Sequence, residues 1–161
     1  MASPARAVSA RAAIPYIYRF IITTLEPLFA VNGAMLSFFW PATYLHTMTR
    51  HSQTFSAPTT FLYTELGGAW LYFAFVEAVV LRMFDDLGLW RVLCMGMILS
   101  DLAYCHSCAQ AVGGWGAWVV LSDWTVEDWF VFWGTAPFLL VRVLIVLGVG
   151  IRQNGGAVKR E

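Results

Sequence analysis

Four stretches of this chain are each apolar enough, and at roughly 20 residues long enough, to cross the hydrocarbon core of a bilayer as a helix. They run from about Tyr16 to Phe39, Thr59 to Met83, Leu89 to Val112 and Trp129 to Ile151. Inside a bilayer every backbone N–H and C=O must be satisfied within the protein, so the pattern predicts an all-α, four-helix transmembrane bundle. Composition agrees with this: 59% of the 161 residues are hydrophobic and 12% are charged, where a soluble domain carries about a quarter charged residues.

The formal net charge is zero, so no basic surface is available to bind nucleic acid by counterion release. The expected partners are the lipid bilayer and a hydrophobic small molecule, and a homo-oligomer stays open. Cys94, Cys105 and Cys108 fall within one apolar run, which is not a secreted disulfide framework. Packing is the simpler role for them.

The connections have distinct characters. WPATYLHTMTRHSQTFSAP is a polar loop between Pro41 and Pro58, residues that punctuate helix ends. FDDLGLW is a very short turn, with Gly88 as its breaker and Leu89 opening the third helix, so helices two and three form a tight antiparallel hairpin. Arg82 with Asp85 and Asp86 reads as a surface ion pair at that turn. The third connection holds Trp115, Trp118, Trp124 and Trp129. Tryptophan collects at the membrane interface, so this loop is expected to lie along the bilayer surface.

Cations set the orientation. Arg6, Arg11 and Arg19, then Arg82 and Arg91, then Arg152, Lys159 and Arg160 share one side of a four-span protein. The other side has Arg50 and the acids Asp123, Glu127 and Asp128. The positive-inside rule puts both termini in the cytosol. Residues 1–15 are then a basic cytosolic tail, 16–151 the membrane domain and 152–161 a second cytosolic tail.

Ionisable groups at membrane depth cost roughly 2.5–3.5 kcal/mol each on insertion scales. Every span nonetheless has one: Glu26, then Glu65 and Glu77, then Asp101 and His106, then Arg142. On a rise of about 1.5 Å per residue from the cytosolic ends, Glu77 lies about 9 Å deep, Glu26 and Arg142 about 14 Å, and Asp101 about 18 Å. Those four converge on one cavity, whereas Glu65 lies near the opposite surface. Asp101, Tyr104, Cys105 and Cys108 share one helix stripe, with His106 about 140° away from Asp101.

Three acids around one fixed cation suit proton transfer. A desolvated carboxyl group stays protonated as a general acid, and a neighbour paired with Arg142 stays ionised as a base. Asp101, Glu26, Glu77 and Arg142 are therefore the catalytic candidates. Asn32, Trp70, Tyr72, Tyr104 and His106 are the candidates for lining the substrate pocket, where aromatic walls suit a flat or polyene chain. The competing interpretation is that buried carboxylates and arginine simply pair and fix helix register.

Metal and cofactor signals are weak. Cys105 and Cys108 have CxxC spacing but sit in an apolar helix without further ligands, and His46, His51 and His106 have no metal-ligand spacing. No phosphate loop, nucleophile elbow or dinucleotide fingerprint occurs. No metal or cofactor is expected.

The elements LEPLFAVNGA, LYFAFVEAVVLR, LWRVLCMGMILSDLAY, DWTVEDWF and FLLVRVLIVLGVG resemble a fungal family of small four-span membrane proteins carrying a domain-of-unknown-function label, over residues 14 to 151. The resemblance implies a fungal endomembrane protein, such as one of the endoplasmic reticulum. It further implies a link to membrane proteins that open polyene epoxides in routes to citreoviridin- and aurovertin-type pyrone mycotoxins. Glu26, Glu77, Arg82, Asp101 and Arg142 then stand at the family's polar positions. A wider architectural likeness is to the sterol isomerase and sigma-2 receptor superfamily. The expected activity is an epoxide hydrolase or cyclase of secondary metabolism; a proton-shifting isomerase and a non-catalytic lipid-binding or assembly protein are the alternatives.

Overall fold

The computed structural model describes residues 8–152. Helix α1 is the short Ala10–Ala13, α2 the first span Tyr16–Phe39, α3 Pro41–Met48, α4 the second span Ala57–Met83, α5 the third span Leu87–Ala111, α6 Trp115–Trp118 and α7 the fourth span Val126–Leu147. The described residues contain helices and loops and no strand. Four helices are long and apolar enough to cross a membrane, which marks an integral membrane protein.

Capping chemistry moves several expected boundaries. Asp86 is the N-cap of α5 and accepts from Leu89 N at 2.8 Å, so α5 starts at Leu87. Gly88 lies in its first turn and does not break it: a good cap outweighs the roughly 1 kcal/mol that glycine costs there. In α7, Thr125 and Asp128 form a reciprocal capping box, which starts the helix three residues before Trp129. Its far end is set by Gly148, whose φ of +77° closes the helix in the left-handed region.

The N-terminal segment is docked. Ala10, Ala13 and Ile14 are buried in the main core, Leu87 N donates to Val8 O at 2.9 Å, and Arg152 N donates to Ala13 O at 2.9 Å. Both ends of the described chain and the α4–α5 turn therefore sit at one end of the bundle. Arg6, Lys159 and Arg160, used above for orientation, lie outside the described residues. Asp85 anchors the segment by accepting from Arg11 N and Ser9 Oγ, each at 2.7 Å. The Arg11 amide first, and the Ser9 hydroxyl second, hold its carboxyl below the usual aspartate range. This corrects the expected Arg82–aspartate pair: Asp85 is engaged by α1, Asp86 by its cap, and Arg82 by α2.

Inside and outside are reversed relative to a soluble bundle. Leu28, Phe61, Leu99, Phe130 and Leu147 are largely exposed, while Glu26, Glu77, Asp128 and Arg142 are buried. Such an apolar exterior suits lipid. Helix α2 packs chiefly on α4 and α5 on α7. The α2–α4 contact is close because its residues are small: Ala30, Ala34 and Ser37 are buried on one side and Gly67 and Ala74 on the other. A Cβ on Gly67 would lie 2.9 Å from the Phe38 ring. Helices α4 and α5 are joined by a tight turn but are not each other's main packing partner, and a cavity opens between them. At the opposite end, Trp124 packs on Trp118 and Trp129 with ring centroids 5.0 and 4.7 Å apart, and its Nε1 donates to Trp118 O.

Candidate functional site

Pro27 shapes the first side of the site. It has no N–H to donate, and its ring presses on the carbonyl four residues earlier, that of Thr23. The helix widens into a π turn over Ile21–Leu25, closed by Glu26 N donating to Ile21 O. Arg82 from α4 serves the released carbonyl: its Nη2 donates to Thr23 O at 2.6 Å and to Thr24 Oγ1 at 2.9 Å. A second π turn, Val76–Val80, contains Glu77. The two wide turns lie against each other. Single π turns re-aim the side chains beside them and recur at functional sites; here they bring Glu26 and Glu77 to one point.

Helix α7 supplies the cation. It breaks at Gly134 and Thr135, where Pro137 cannot donate to the carbonyl four residues back, and resumes at Ala136 to carry Arg142 into the centre. Arg142 is 1% exposed and Glu77 0%. Arg142 Nη2 contacts Glu26 Oε1 at 2.6 Å and also Glu77 Oε1, while Nη1 contacts Asp101 Oδ2. One guanidinium thus ties all four spans. The Phe73 ring lies 5.9 Å from its carbon, within the range of a cation–π contact.

The cluster is not self-contained. Glu26 Oε2, Glu77 Oε2 and Arg142 Nε are buried without a hydrogen-bond partner. Glu26, Glu77, Asp101 and Arg142 line one side of a cavity of about 240 Å³, which Phe29, Leu66, Ala69, Trp70 and Phe73 complete with apolar surface. Ser100, Ala103 and Ser107, small and exposed on α5, form its margin. The site can hold an apolar molecule with its polar atom against three carboxyl groups.

A family model described as a domain of unknown function, DUF7704, matches residues 11–152. The chain belongs to the DUF7704 family. No curated protein and no solved structure matches it. In this DUF7704 chain the four acid and arginine candidates meet at one guanidinium. Trp70 and Tyr104, with ring centroids 5.4 Å apart, line the cavity beside them. Asn32 lies farther along, in a second cavity of about 340 Å³ that also reaches Trp70 and Tyr104.

Two expected pocket residues are elsewhere. Tyr72 is 63% exposed, because two residues of helix separate it from Trp70 by about 200° and both cannot face inward. His106 is exposed and lies against Trp115, 6.2 Å between ring centroids, on the side of α5 away from Asp101. Glu65 is exposed and apart from the cluster.

Sequence reasoning missed Phe73 and the partners of Arg82 and Arg50. Phe73 is one more aromatic residue among many, with no mark to distinguish it. Arg82 supports the site by holding the Thr23 carbonyl. Arg50, with φ of +49°, reaches Asp128 at 2.8 Å across the far end of the bundle; a contact over 78 positions leaves no local signal.

Proposed function

We propose that this DUF7704 protein is an integral-membrane epoxide hydrolase or cyclase acting on a hydrophobic, polyketide-like substrate. The observation that carries this reading is three carboxyl groups gathered on one buried guanidinium, with Oε2 of both Glu26 and Glu77 unpartnered beside an apolar cavity. One cation offsets one carboxylate. A further buried charge without a counter-ion is costly, so protons remain within such a cluster and can be given to a substrate.

In the proposed reaction Asp101 or Glu26 donates a proton to the epoxide oxygen as one C–O bond breaks. Water, or a hydroxyl of the substrate, attacks the carbon, and Glu77 takes the proton that this nucleophile releases. A proton passed back from Glu77 to the donor restores the starting state, so none is consumed. Arg142 keeps the accepting carboxylate ionised and fixed in place. The fungal endomembrane setting, with both termini cytosolic, belongs to the same proposal.

The test is to incubate membranes carrying the protein with a polyene bis-epoxide in oxygen-18 water, beside an Asp101→Asn control. Protein-dependent label uptake that the control lacks supports hydrolysis, and an unlabelled cyclic product supports internal opening. Product no different from that of empty membranes counts against epoxide chemistry on this substrate. A second reading, a non-catalytic bundle held by its polar centre, is favoured by the way Arg142 touches all three other spans.

A further inference from the structure

The second cavity lies toward the tryptophan-rich end, away from Arg142. It abuts the first, because Phe29, Trp70, Tyr104, Gly134 and Thr135 line both. The first chamber alone falls short of the range of about 300–1,000 Å³ usual for small-molecule sites, the second is at its lower edge, and the two together lie well within it. The broken stretch of α7 at Gly134 and Thr135 presents little side-chain bulk where they meet. Along α2, Glu26 and Gly33 mark the two chambers about 10 Å apart on the helical rise.

The far chamber contains an unanswered donor. Trp70 Nε1 is buried without an acceptor, and the Tyr44 phenol lies beside it without completing that bond. Gly33 backs the indole closely: a Cβ there would come within 3.2 Å of Trp70 Cδ2. An indole N–H can only donate, so a ligand that satisfies it must bring an oxygen acceptor. Glu127 in the same wall disfavours an anionic acceptor such as a carboxylate.

We infer that the far chamber is a subsite for the neutral, oxygen-bearing end of an elongated amphiphile, a ketone or ester carbonyl in class, whose apolar body passes Trp70 and Tyr104 toward Arg142. This rests on the proposed reaction for what lies at the Arg142 end. The carbonyl accepts from Trp70 Nε1, with Asn32 and Tyr44 as neighbouring donors. Substrate selection then comes from two points about 10 Å apart, the reacting group at one and the carbonyl at the other.

The experiment is photo-crosslinking of the full chain in detergent. The probe is a long-chain methyl ketone with a diazirine beside its carbonyl, competed by unlabelled methyl ketone, alkane and carboxylic acid of equal length. Labelling is expected on residues 29–36, 41–48 and 126–133, with the ketone competing at least tenfold better than the alkane or the acid. Trp70→Phe should remove that tenfold preference and leave the alkane's competition unchanged. If Trp70→Phe does not fold, Tyr44→Phe is held to a threefold loss of the preference. Equal competition by alkane and ketone, stronger competition by the acid, label outside these segments, or a preference unchanged in the folded variant overturns the inference. None of these readings needs turnover. Ketone selectivity without ring opening would leave the subsite and sink the reaction.

Discussion

The bundle has two arginine centres, one buried and one partly exposed, and they are built differently. At the far end Arg50 meets Asp128 one to one, and Asp128 is further engaged by Thr125 N and by its place in the capping box. In the membrane half nearer the termini, Arg142 meets three carboxyl groups, two of which keep an oxygen without a partner. The far pair balances one charge with one and ties the loop after α3 to the start of α7, although Arg50 Nη2 is buried without a hydrogen-bond partner. The Arg142 cluster remains open to a cavity. The far pair is balanced in charge, whereas surplus acid at a pocket is costly to maintain and is the feature on which the proposed chemistry rests.

The largest difference between the two should appear on removing the cation. Arg142→Met should cost on the order of 3–5 kcal/mol, the range for breaking a buried pair, read as loss of the folded state in thermal unfolding in detergent. Arg50→Met, whose arginine is partly exposed, should cost roughly 1 kcal/mol. Equal losses would erase the distinction.

Next in size is Asp128→Asn. It keeps part of the cap but weakens the charged contact, so a cost of about 1 kcal/mol is expected in the same assay. Gly33→Ala should cost a similar or smaller amount, about 1 kcal/mol, by pressing on the Trp70 indole. Its effect should fall on ligand binding in the far chamber more than on ring opening.

The smallest effect belongs to the exposed anchor. The Asp85 carboxyl is held below its ordinary range in the fold, so its contribution is fully present above the unfolded value of about 4 and is lost as pH falls through the lower folded value. The hydrogen-exchange protection of residues 8–14, taken relative to the intrinsic rate at each pH, should therefore fall in acid before that of α5 and α7. Protection that persists unchanged below that range would mean that burial of Ala10 and Ile14, rather than Asp85, holds the segment.

Much of this was legible in the sequence for a simple reason: span length and apolarity are properties of consecutive residues. The depth of the cluster was legible too, because Glu26, Glu77, Asp101 and Arg142 can all be counted by helical rise from the same end of the bundle. Rotation about each helix was not. The π turn before Glu26 has Pro27 as a visible cause, but Val76–Val80 contains nothing that announces one. Without those turns, rotation could not be carried along a span. Trp70 and Tyr72 were equal candidates on composition and face opposite ways in the fold. The start of α5 was misplaced because Gly88 is a stronger visual signal than Asp86, although the aspartate's capping bond decides the boundary. The docked segment and the Arg50–Asp128 pair depend on residues more than 70 positions apart.

The central claim is that the acids around Arg142 perform chemistry while the pair at Asp128 maintains structure. The most direct measurement is the rate of epoxide consumption by Glu77→Gln and by Asp128→Asn, each normalised to folded protein. Glu77→Gln should abolish turnover while still unfolding cooperatively, and Asp128→Asn should turn over at the wild-type rate per folded molecule. Equal rates for the two variants, or losses that follow the folded fraction alone, would contradict the account.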